Sequence, residues 1–125
     1  MSDVLNSSIL GTIRNMLGPT DDYTYFDSEI VVHINTFMLN LTQIGVGPKT
    51  GYSITGDEET WGDYLGDTIF YEPVKTYLYL KVKMIFDPPA SSSVAEAMQR
   101  TCDEIEWRLK IQAEHVEGGD SDDGS

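Results

Sequence analysis

The chain has 125 residues, and its 21 Asp plus Glu against 8 Lys plus Arg leave a formal net charge of -13. That length holds one hydrophobic core and so one domain. The charge repels nucleic acid and anionic membrane surfaces, so any contact with DNA is expected to be fleeting or indirect.

Cys102 is the single cysteine, which excludes an intramolecular disulfide and any zinc site with more than one thiolate. Near the start, Asn6, Ser7, Ser8 and Thr12 break the basic-then-apolar pattern of a secretory signal, and a cytoplasmic protein is expected. Residues 31–41 are interrupted by His33, Asn35, Thr36 and Asn40, short of the roughly 18 apolar residues that cross a bilayer. Asn6-Ser7-Ser8 and Asn40-Leu41-Thr42 match the glycosylation sequon in form only.

In chain order, residues 4–17 place Leu5, Ile9, Ile13 and Met16 at helical spacing and end in Gly18-Pro19, which predicts a first helix. A polar turn follows at residues 19–25. Asp27 or Ser28 then caps a second helix to about Ile44, terminated by Gly45. Its apolar stripe is Ile30, Ile34, Phe37, Leu41 and Ile44, beside a polar stripe of Glu29, His33, Thr36, Asn40 and Gln43. Val32 and Leu39 lie beyond the polar stripe. They are either scattered surface residues or a second apolar face for a neighbouring subunit, and both readings stay open.

Residues 45–68 change character, with Gly at 45, 47, 51, 56, 62 and 66 and aromatics Tyr52, Trp61 and Tyr64 among acids. A loop this long is functional or disordered, and the aromatics argue for function. Residues 58–65 can form a short helix within it. A third helix, expected at residues 69–86 and central to the fold, tolerates Pro73 in its first turn and is stopped by Asp87-Pro88-Pro89. Val74, Tyr77, Leu78, Leu80, Val82, Met84 and Ile85 cover more than half of its circumference, so Lys81 inside that arc must snorkel or meet a carboxylate. Ser93-Val-Ala-Glu96 reads as a capping box opening a fourth helix to about His115, with Val94, Met98, Cys102, Ile105 and Leu109 on one face. Residues 117–125 carry no apolar side chain and read as a solvated, disordered acidic tail. The expected fold is all-α: a helical domain at residues 1–116, built as a bundle of four main helices with a long Gly- and aromatic-rich loop, and a tail at 117–125.

Chemistry is sparse. Gly45-Val-Gly-Pro-Lys-Thr50 resembles a phosphate loop only loosely, since Pro48 stands where Gly is required before Lys49. His33 and His115 lack metal-site spacing and read as surface residues. Asp57, Glu58 and Glu59 lack the alternating ligands of a calcium loop and read as solvated. Neither a strained serine elbow nor an activated thiol is apparent, so the expectation is no catalytic residue, no cofactor and no metal.

Read as text, Phe26-Asp-Ser-Glu-Ile-Val-Val-His-Ile-Asn35, Leu41-Thr-Gln-Ile-Gly-Val-Gly-Pro48, Trp61-Gly-Asp-Tyr-Leu65, Val74-Lys-Thr-Tyr77, Phe86-Asp-Pro-Pro89 and Glu104-Ile-Glu-Trp-Arg-Leu109 resemble, in order and spacing, the head-tail connector proteins of long-tailed bacteriophages. The resemblance spans about residues 5–112. It implies an all-helical virion subunit that assembles as a ring, typically of twelve copies, between the portal and the stopper or tail-completion proteins. Genomic DNA would pass through that ring without specific binding. It also implies that the C-terminal helix docks on the portal, which makes Trp107 a candidate contact; Trp107 as a core residue stays equally open. Val32, Leu39, Tyr52, Trp61, Tyr64 and Trp107 are the candidate subunit or partner contacts. The rivals are an acidic DNA mimic, which would want its acids in regular exposed rows, and a helical interaction module of a host cell. Neighbouring genes for portal and capsid would separate the three.

Overall fold

A computed structural model describes residues 2–18 and 26–124, with side chains from 4 to 116 outside that gap; the turn expected at residues 19–25 lies outside the described residues. Among the described residues the chain forms six helices and no strand: α1 (Ser2–Leu5), α2 (Ile9–Leu17), α3 (Asp27–Gln43), α4 (Trp61–Leu65), α5 (Tyr71–Phe86) and α6 (Ser92–Gly124). The all-α expectation holds. Four of these helices are substantial, and α5 is central: α2, α3 and α6 all pack on it.

The expected first helix is two helices. Ser8 is extended and its hydroxyl accepts from Gly11 N at 2.9 Å, which caps α2 and stops the turn before it from continuing. The chain at Ser7–Ile9 pairs instead with the start of α4, Ile9 N donating to Glu59 O at 3.0 Å and Trp61 N to Ser7 O at 3.1 Å. Helical periodicity in residues 4–17 is real, but a tertiary pairing takes the backbone groups that would have joined the two pieces.

Helix α3 starts at Asp27 with no side-chain cap, because Phe26 occupies the N-cap position; the expected caps Asp27 and Ser28 lie inside the helix, and the Asp27 carboxylate pairs with Arg14 of α2, both oxygens lying 3.1 Å from the guanidinium. It ends as expected, with Gly45 at φ 100 where a left-handed residue is needed. Its buried residues are Ile30, Ile34, Met38 and Leu41, while Phe37 and Ile44 sit at the edge of the core. Helix α5 begins at Tyr71, two positions later than expected, with Pro73 in its first turn. Ile85 is 52% exposed, so the apolar arc is narrower than the sequence suggested. Lys81 meets ring faces in place of a carboxylate, its Nζ 5.7 Å from the Phe37 centroid and 5.8 Å from Tyr77.

The cap of α6 is Ser91, whose carbonyl accepts from Ala95 N at 3.1 Å; Ser93 lies inside the helix and the expected capping box is not used. Of the predicted face, Cys102 and Leu109 are buried and Met98 and Ile105 are partly so, but Val94 is exposed and Ala113 completes the stripe. The helical backbone continues to Gly124, past the expected end near His115; beyond Val116 the sequence there has no apolar residue. One side-chain network joins the three packed helices: Asn40 of α3 donates to the Tyr77 hydroxyl of α5 at 3.3 Å, and that hydroxyl donates to Glu106 of α6. Burial, then the Glu106 bond and charge, raise the Tyr77 pKa, so the phenol stays protonated and keeps donating.

Candidate functional site

The segment between α3 and α5 looked like the functional loop. Its aromatics turn inward. Trp61 is fully buried, its Nε1 donating to Thr12 Oγ1 at 3.0 Å and its ring edge-on to Tyr71 at 5.4 Å. Tyr64 is 2% exposed and stacks on half-buried Tyr52 at 5.0 Å. Of the candidate partner contacts, Trp61 and Tyr64 are therefore buried within the subunit, where they hold the loop to it. Gly47, at φ 81, lets this happen, because a Cβ there would stand 2.6 Å from the Tyr64 ring. Among the described residues the Tyr64 hydroxyl has no hydrogen-bond partner, and burial raises its pKa.

Polar residues the sequence reading passed over complete the clamp. Asn35 of α3 makes a reciprocal pair with Ile54, donating Nδ2 to its carbonyl at 2.9 Å and accepting its N–H at 2.7 Å. Glu59 accepts from Thr55 N at 2.9 Å and Thr55 Oγ1 at 2.8 Å; desolvation pushes its carboxyl up, but these bonds together with those from the Gly56 and Glu59 backbone outweigh it and hold the carboxyl below the usual range. Thr60 and Asp63 form a capping box on α4. The loose phosphate-loop look of residues 45–50 resolves the same way: Val46 is buried, its N–H bonded to Leu41 O at 2.9 Å, and the stretch is a helix-terminating turn. Among the described residues no group of three or more His, Cys, Asp or Glu is placed to hold a metal ion.

What remains at the surface is apolar and lies on two helices. On α3, Val32 is 60% and Leu39 58% exposed, seven positions apart and so nearly two turns along one ridge, with Ser28, Glu29, Thr36 and Gln43 also exposed along it. The two lie on the far side of the polar stripe from the core, as the sequence suggested, and on the exposed face. A hollow beside Val32 is lined by Ser28, Glu29, Val32 and His33. On α6, Trp107 is 62% and Ile111 44% exposed, and Ile69, just before α5, is 57% exposed. These three line one cleft of about 490 Å³ whose floor includes Phe70, Pro73 and Leu109. Trp107 is thus a surface residue and not core. Around it, Arg108 and Lys110 are exposed, Arg108 reaching Glu104 at 3.0 Å, and residues 107–112 contain no acid.

These features define an all-α domain whose polar residues are used structurally and whose accessible apolar side chains suit binding to other proteins. No described helix is long and apolar enough to cross a membrane. The family described as phage connector protein matches residues 9–116, and the chain belongs to that family. Membership supports a structural role in head-tail connection. No curated protein and no solved structure matches the chain.

Proposed function

We propose that the chain is a head-tail connector subunit that forms a ring between the portal and the stopper or tail-completion proteins, extends the DNA channel, and has no catalytic role. The family match across residues 9–116 carries this reading. Two physical features support it. A ring subunit must keep apolar surface for its neighbours, and here large apolar side chains stay exposed on α3 and α6 although the core is filled. A charge of -13 suits a channel wall, because acidic surface does not hold the phosphate backbone during packaging and ejection. Localisation to the virion neck and a copy number near twelve belong to the same proposal.

The test is genetic. A phage lacking this protein is expected to make capsids and tails that electron microscopy shows unjoined, because the portal and tail surfaces have no matching interface without the ring. Purified protein, with any later completion factor, should restore joined particles. Normal virions from the null mutant would overturn the reading.

A further inference from the structure

We propose that residues 2–8 form a releasable strap: seated, the strap holds the loop containing α4 closed on the core, and detached, it frees that loop while α2, α3, α5 and α6 stay folded. The proposal is independent of the connector reading. Its basis is the antiparallel pairing of Ser8 with Thr60, the extended residues that precede α2 and α4. Two backbone hydrogen bonds close the pairing, from Ile9 N–H to Glu59 O and from Trp61 N–H to Ser7 O. Nearer the N-terminus, Leu5 lies so close to α4 that a Cβ on Gly62 would stand 2.8 Å from the Leu5 carbonyl oxygen. Backbone atoms cannot give way as the tip of a side chain can, so the strap seats only on glycine at that position.

A side-chain relay ties the hinge of the strap to the anchor of the loop. Thr12 Oγ1 donates to Ser8 O at 2.8 Å and accepts from the Trp61 indole at 3.0 Å. Movement at Ser8 is therefore felt at Trp61, the buried side chain that holds the loop in the core. The strap itself is weakly held. Helix α1 has four residues, too few to persist by propensity; it packs chiefly on α4, and its Val4 and Leu5 are only half-buried. Helix α4 is nearly as short and leans on the strap in return. By contrast α3 and α5 are 17 and 16 residues long and bury core side chains along their length. Units with few buried contacts open at a lower free energy than the core, so strap and loop open together before the bundle does.

Native-state hydrogen exchange of the full chain, read residue by residue by NMR, tests this. The Ile9 and Trp61 amides and the Trp61 indole N–H are expected to share one opening, with protection about tenfold or more below that of the Met38 and Leu78 amides in α3 and α5. Gly62→Ala should lower the protection of this group roughly tenfold and leave Met38 and Leu78 unchanged. The sign is decisive, because alanine is the better helix former and would protect α4 further if the strap were idle. Unchanged or slower exchange of Ile9 and Trp61 in Gly62→Ala overturns the strap, and so does an equal loss of protection at Met38 and Leu78. In the wild type, protection of Ile9 and Trp61 equal to that of Met38 and Leu78 would make strap and core one unit. Unequal protection of Ile9 and Trp61 would mean two separate openings, and either result sinks the proposal.

Discussion

Tyr77 and Cys102 show how single side chains set the character of this interior. The Tyr77 ring is buried, yet its hydroxyl links Asn40 and Glu106, so one residue supplies apolar packing and the polar tie among three helices. Cys102 lies fully buried on α6; desolvation pushes its thiol up to about 11, against the opposing charge of Lys81. Both burial and the scarcity of thiolate slow its reaction with electrophiles. Native protein is therefore expected to resist thiol labelling at neutral pH, and denatured protein to label stoichiometrically. Rapid labelling of the native chain would show that α6 does not stay packed on α5.

At the scale of the element, α3 divides its apolar residues between two tasks. Ile30, Ile34, Met38 and Leu41 fill the core, and Val32 and Leu39 face outward. Truncating a fully buried aliphatic side chain removes its transfer free energy and leaves a cavity. Ile34→Ala should therefore lower unfolding stability by about 2–5 kcal/mol, read from urea denaturation, while Leu39→Ala should stay within about 0.5 kcal/mol. Comparable losses at the two positions would mean that the outward ridge is packed within the subunit. Helix α4 makes the complementary point, since a helix of five residues cannot persist by propensity. It is held by the Thr60 capping box, the Ser7–Trp61 hydrogen bond and burial of Trp61.

For the whole molecule, a single core carries the fold, joining α2, α3, α5, α6 and the loop through Val46, Ile54, Trp61 and Tyr64. Residues 117–125 contribute no apolar side chain to it. Deleting them should leave the helical signal of the rest and the Tm nearly unchanged, because residues without apolar side chains bring no hydrophobic surface to bury. A Tm drop of several degrees would show that the tail is docked. The deletion also removes four Asp or Glu, which lessens self-repulsion and favours the truncated chain slightly.

Helical class, the ends of α3 and α5 and the buried Cys102 were all legible from the sequence, because periodicity, Gly45 and Asp87-Pro88-Pro89 act locally. The motif series gave the family as well. Only the tertiary structure decided the break at Ser8, the inward turn of Trp61 and Tyr64, the outward turn of Trp107 and the clamp between Asn35 and Ile54. Each depends on a partner far away in the chain: Ser7 on Trp61, Trp61 on Thr12, and Asn35 on Ile54. An aromatic in a Gly-rich loop has the same local signature whether it meets its own core or a neighbour. Which it meets is settled by where the chain brings the rest of the hydrophobic surface, and that is a property of the folded whole.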